Sequence, residues 1–134
     1  MSEALHIERD IHVPGGILFD LWTQAEHLDQ WYCRGGTAVS DPKPGGARNL
    51  TCRLASGEER VEQTTYEEVE HGRQFSASNA DGSGTRLEVV FNDTGGSTRI
   101  ALTHTGLADA EALGAAERLW NERLDALIEY LSAI

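Results

Sequence analysis

The feature that most limits what this chain can fold into is a change of hydrophobic period at Asp109. Before it, one residue in two is apolar along several short runs: Leu50, Cys52 and Leu54, then Leu87, Val89 and Phe91, then Ile100 and Leu102, with His104 closing that phase. Such alternation gives a strand with one buried face. After it, Leu113, Ala116, Trp120, Leu124, Leu127, Ile128 and Leu131 recur at helical spacing, an apolar stripe along one long helix. The strand-like runs are separated by turn chemistry only, at Ser56-Gly57, Glu70-His71-Gly72, Asp81-Gly82-Ser83-Gly84 and Asn92 to Gly96. Connections that short join antiparallel strands and exclude the crossover helices of a parallel sheet. The expected architecture is α+β: a two-layer sandwich in which a curved antiparallel sheet of about six strands packs on the C-terminal helix.

The first third of the chain adds one strand and two short helices. Leu5, Ile7, Ile11 and Val13 alternate with His6, Glu8, Asp10 and His12, and Arg9 shares the apolar phase. A guanidinium in that phase needs a carboxylate partner or an anionic ligand, and pairing with a nearby Glu is expected. Pro14-Gly15-Gly16 breaks the strand; Ile17, Leu18, Leu21 and Trp22, then Ala25, Leu28 and Trp31, follow at helical spacing. Thr23 or Gln24 is expected to cap the second helix and Asp109 the long one. No linker or repeat divides residues 1–134, which read as a single domain.

Charge narrows the partners. The chain carries 22 acidic and 11 basic residues, a formal charge of −11, and Lys43 is its only lysine. No local run of Lys and Arg offsets this, so nucleic acid and anionic membranes are not expected as partners. The apolar stretches are too short to span a bilayer. Met1-Ser2-Glu3-Ala4 lacks the basic and apolar segments of a secretory signal, which gives a cytoplasmic expectation. In that setting Cys33 and Cys52, without CxxC spacing, read as small buried hydrophobes.

Motifs for phosphate, metal and nucleophilic chemistry are missing. The pairs Gly35-Gly36, Gly45-Gly46 and Gly95-Gly96 lack the context of a phosphate-cradling loop. There is no nucleophile elbow and no paired zinc-ligand set. His6 and His12 share a strand face but stand about 20 Å apart at the ordinary strand rise, too far to hold one ion. No permanent cofactor is expected.

Order and spacing of several motifs together resemble the START-like (SRPBCC) domains related to the activators of heat-shock protein 90 ATPase. The resemblance rests on Leu5-His6-Ile7-Glu8-Arg9-Asp10-Ile11, Val13-Pro14, and the stretch from Leu21-Trp22-Thr23 to Glu26-His27-Leu28 and Trp31-Tyr32. It continues through Asp41-Pro42-Lys43-Pro44-Gly45-Gly46, Tyr66-Glu67-Glu68-Val69, Ser97-Thr98-Arg99-Ile100, Thr103-His104-Thr105-Gly106-Leu107 and Leu119-Trp120. Tyr32 stands where many relatives carry a second Trp, and Leu119 where Gly is frequent. The resemblance implies a helix-grip fold with a cavity between sheet and helix. It also implies a functionally mixed family of small-molecule binders, chaperone regulators and cyclase-like enzymes.

If that cavity is open, the inward phase supplies its walls: Leu50, Leu54, Leu87, Val89, Ile100 and Leu102, roofed by Trp120 and Leu124. Trp31 and Tyr32 fall near its mouth, where flat rings with polar tips can either grip a ligand or plug the end of the sheet. His104 brings an imidazole to the end of the last strand, able to orient a ligand or act as a base. The leading expectation is a binder of a small, largely apolar molecule. A cochaperone-like module with a chaperone partner and a cofactor-independent cyclase- or hydrolase-like enzyme are the alternatives. Both a monomer and a homodimer are compatible with the sequence.

Overall fold

The computed structural model describes residues 3–33, 36–53, 57–79 and 84–133. In chain order the elements are β1 (Glu3–Ile11), α1 (Gly15–Thr23), α2 (Ala25–Trp31), β2 (Thr37–Ser40), β3 (Ala47–Arg53), β4 (Glu59–Glu70), β5 (Gln74–Asn79), β6 (Arg86–Asp93), β7 (Thr98–Leu107) and α3 (Ala110–Ala133). The seven strands form one antiparallel sheet in the order β1-β7-β6-β5-β4-β3-β2. The strand absent from the expected six is β2, only four residues long and lying along β3 at the edge. The architecture is the expected α+β helix-grip sandwich. Leu54 and the turn residues Asp81, Gly82 and Ser83 lie outside the described residues.

Alternation decides which face of the sheet is covered. Leu87, Val89 and Phe91 on β6 and Thr98, Ile100 and Leu102 on β7 are all buried, while their neighbours are more exposed. The pairing of β1 with β7 sets Ile7 opposite Leu102 and Arg9 opposite Ile100. Arg9 therefore faces the helix side as its phase predicts, but its partners are not glutamates. Its guanidinium donates to Asn121 Oδ1 at 2.6 Å and lies 3.8 Å from Asp125, both on α3.

The 24 residues of α3 follow Asp109, whose Oδ1 accepts the Ala112 N–H at 2.9 Å, as the N-cap expectation requires. At α2 the expected caps fail: Gln24 occupies the cap position without a side-chain bond, and the Thr23 hydroxyl donates back to Phe19 O. Ala116, Trp120, Leu124 and Leu127 are the buried apolar residues of α3, whereas Ile128 is 43% exposed. The buried arc is narrower than the sequence stripe because the sheet covers one side of the helix only, and Ile128 falls past its edge. Arg123, unremarked in the sequence, lies inside that arc and is buried.

The two short helices close one end of the sheet with aromatic rings. Phe19 and Trp22 on α1 and Trp31 on α2 are buried. Trp22 stacks on Trp120 of α3 at 6.1 Å between centroids and meets Trp31 edge-on at 4.9 Å. Cys33 and Cys52 are joined by a disulfide that ties the end of α2 to β3. This corrects the expectation of two lone thiols. Nothing in their spacing signals the bond, since it depends on how α2 packs against the sheet. Among the described residues no helix is long and apolar enough to cross a membrane.

Candidate functional site

Two cavities open between α3 and the sheet. The outer one is a cleft of about 650 Å³ running beside α3, with Ala112, Ala115, Ala116 and Leu119 on its helix side and Trp31, Tyr32 and Leu107 opposite. The inner one, about 340 Å³, lies over the sheet, where Arg48, Thr64, Ala77, Asn79 and Leu87 form the floor and Trp120 the roof. Arg60, His104 and Leu107 line both, so the two adjoin there. Space exists at this point because α3 presents alanines to the cleft and the sheet presents short side chains, Thr64 and Ala77, to the inner cavity. Near Leu107 the chain depends on Gly106, whose φ is +78°, and a Cβ there would stand 2.2 Å from the Gly84 carbonyl oxygen.

The expected site residues divide between these cavities and the packed interior. Trp31, Tyr32 and His104 line the cleft; Leu87, His104 and Trp120 line the inner cavity. Leu50, Val89, Ile100, Leu102 and Leu124 are buried in the hydrophobic core and border neither. Trp31 is buried and anchored where it borders the cleft, its indole donating to Leu21 O at 2.8 Å.

His104 has a fixed role in this frame. The Trp120 indole N–H, a donor only, points to His104 Nδ1 at 3.1 Å. Nδ1 must therefore be the acceptor, and the neutral ring carries its proton on Nε2. Burial pushes this imidazole below the ordinary histidine range, an effect that nearby Glu62 opposes without cancelling. His104 is thus a neutral hydrogen-bond donor on the wall shared by both cavities.

Beside it lies a polar cluster that sequence reasoning missed. Arg123 is 5% exposed; it donates from Nη1 to the Tyr32 hydroxyl at 3.0 Å and from Nη2 to the Glu62 carboxylate. Its guanidinium also lies over the Tyr32 and Trp120 rings, 4.0 and 4.8 Å from their centroids. Burial alone would raise the Glu62 carboxyl, but Arg123, with Arg60 and Arg48 behind it, outweighs this and holds it below its usual range. Tyr32, by contrast, is raised by burial. Arg48 is only 2% exposed, sits 5.0 and 5.2 Å from the Tyr32 and Phe75 ring centroids, and donates weakly from Nη2 to Trp22 O at 3.4 Å. Its Nε has no hydrogen-bond partner among the described residues.

This arrangement revises the electrostatic expectation. No run of basic residues exists in the sequence, yet the fold brings Arg53, Arg60, Arg118 and Arg123, four of the chain's 11 basic residues, to one cleft against Glu122. Arg53 pairs with Glu59, and Arg60 and Arg123 share Glu62, so the cleft gathers cations that carboxylates largely match. A signal was available: Arg48 shares its phase with Leu50 and Cys52, and Arg123 lies three residues after Trp120 and four before Leu127. What the arrangement can do chemically is hold an apolar body against α3 and orient it with donors. Among the described residues no group of three or more metal-ligating side chains gathers.

Comparison with known proteins agrees with the fold. An HSP90 activator from Plasmodium falciparum superposes with a TM-score of 0.78 at 20% identity, covering 97% of this chain and 96% of that one. A protein from Mesorhizobium loti gives 0.80 at 18% identity, with 98% of each chain covered. An uncharacterized protein from Rhizobium leguminosarum gives 0.79 at 21%, covering 100% of this chain and 97% of that one. At these identities the likeness shows the fold alone. No curated protein matches the sequence. The family model described as "Activator of Hsp90 ATPase homolog 1-like protein" matches residues 12–132, and the chain belongs to that family.

Proposed function

We propose that the protein binds a small, largely apolar molecule in the joined cleft and inner cavity between sheet and α3. The observation that carries this reading is the cleft itself, about 650 Å³ and walled by alanines, Leu107, Leu119 and the edges of Trp31 and Tyr32. Small-molecule sites are of this kind: roughly 300–1,000 Å³, mostly apolar, with a few fixed polar groups. His104, held by Trp120, and the Tyr32 hydroxyl, held by Arg123, are such groups.

Titration with neutral apolar probes, followed by tryptophan emission and thermal shift, tests it. A probe at a hundred times its dissociation constant should add about 2.7 kcal/mol of stability. Ala112→Trp, which fills the cleft from a half-buried position on the first turn of α3, should remove that gain without unfolding the protein. A broad panel that leaves both signals flat would remove the reading.

The family description and the Plasmodium activator favour a second reading, a module that engages a chaperone of the heat-shock protein 90 kind. Stimulation of that chaperone's ATPase by the Ala112→Trp variant, equal to the original protein's, would support this reading over the first. No stimulation by either form would dismiss it.

A further inference from the structure

Resting on the cavity reading above, we infer that the natural ligand is an amphipathic carboxylate whose head group enters the inner cavity beside Arg48 and whose apolar body lies in the outer cleft along α3. Arg48 carries the inference. It is 2% exposed and borders the inner cavity, and its guanidinium reaches Trp22 O only by a long 3.4 Å bond and otherwise interacts with the neutral Tyr32 hydroxyl. A buried guanidinium with an unused Nε and no ion pair among the described residues is costly unless an anion completes it.

The surroundings agree. The inner cavity is lined by Arg48, Arg60 and Arg86 against Glu62, so its net charge favours an anion even with that carboxylate present. Arg86 is already paired with Glu67 and Glu88, and Arg60 lies 3.7 Å from Glu62, which leaves Arg48 as the lining cation without an ion pair among the described residues. Glu62 limits the ligand's charge: a dianion such as a phosphate monoester would meet more repulsion there than a single carboxylate. His104, with its proton on Nε2, adds a neutral donor where the two cavities join. From that junction the cleft continues past Leu107 to Ala116 and Leu119, a surface for hydrocarbon or an aromatic ring.

The test compares three ligands sharing one apolar body and differing in head group: decanoate, 1-decanol and decylamine, titrated calorimetrically below their aggregation limits. Decanoate should bind at least about tenfold more tightly than decanol, the difference expected for a hydrogen bond to a charged group. Decylamine should be the weakest. Arg48→Met, close in length and neutral, should bring decanoate down to the affinity of decanol and leave decanol unchanged. Where that variant does not fold by circular dichroism, Arg60→Gln at the junction should weaken decanoate several-fold and spare decanol. Equal affinity for decanoate and decanol, or decanoate binding that neither substitution alters, overturns the inference and leaves the cavity reading standing. Absence of binding by all three overturns both.

Discussion

Arg123 on α3 and Glu62 on β4 form a buried ion pair that spans the two layers of the fold, with the Tyr32 hydroxyl bonded to the same guanidinium. The pair fixes the wall between the outer cleft and the inner cavity, so its removal should be felt in stability and in shape. Because its partner is left poorly compensated, Glu62→Leu should cost roughly 3 kcal/mol in a denaturant melt, and Arg123→Leu somewhat less, since Arg60 still lies 3.7 Å from Glu62. The double substitution should recover most of that loss. Equal costs for the double and the sum of the singles would show that the two residues are not coupled.

The pH dependence of stability should carry the signature of the same wall. Glu62 has its folded pKa below the ordinary glutamate value of about 4.3, so its contribution is present above that value and is lost as pH falls through the folded pKa. His104 is also depressed, but as a base: below about 6.5 the unfolded chain takes up a proton that the folded chain refuses. Stability must therefore fall as pH drops from 6.5 toward the folded pKa of His104. In His104→Gln, which can still accept from the Trp120 indole, the decline beginning near pH 6.5 should be reduced and the carboxylate limb at lower pH should stay. Identical pH profiles for both proteins would contradict the assignment of His104 as a buried neutral imidazole.

A third expectation concerns the covalent tie between α2 and β3. Cys33 and Cys52 are separated by 19 positions, and closing a loop of that size stabilises by about 3 kcal/mol in the chain-entropy account. Melts with and without a strong reductant should differ by that order. Thiol labelling of the denatured protein under non-reducing conditions should find no reactive cysteine. Two reactive thiols and one melting curve in both conditions would mean that the pair works as a dithiol, as a reducing cytosol would keep it.

How much was legible follows from which interactions are local. The alternation of Leu87, Val89 and Phe91 and the helical spacing from Leu113 onward state their burial in the sequence, because each pattern reports a single element's face. The N-cap at Asp109 was legible for the same reason. Strand β2 was not: four residues, Thr37–Ser40, between turn-rich segments give too little periodicity to mark a strand. The polar wall was half visible. Arg48, Glu62 and Arg123 each occupy an inward position of their own element, but their meeting depends on β3, β4 and α3 coming together across the core. The same non-local packing decides that Cys33 meets Cys52, and that Ala112 and Ala116 leave a cleft where Leu124 and Leu127 leave none.

The most direct measurement is an NMR titration that follows the indole N–H signals of the three tryptophans as a ligand is added. Trp31 borders the outer cleft and Trp120 the inner cavity, whereas Trp22 lies behind them in the core and borders neither. Binding as described should move the Trp31 and Trp120 indoles together, and saturably, with a smaller response at Trp22. Ala112→Trp should abolish the movement of the original signals. A ligand that binds by calorimetry yet leaves both indoles in place, or shifts only backbone signals around the exposed Ile17 and Val39, would contradict a site between the sheet and α3.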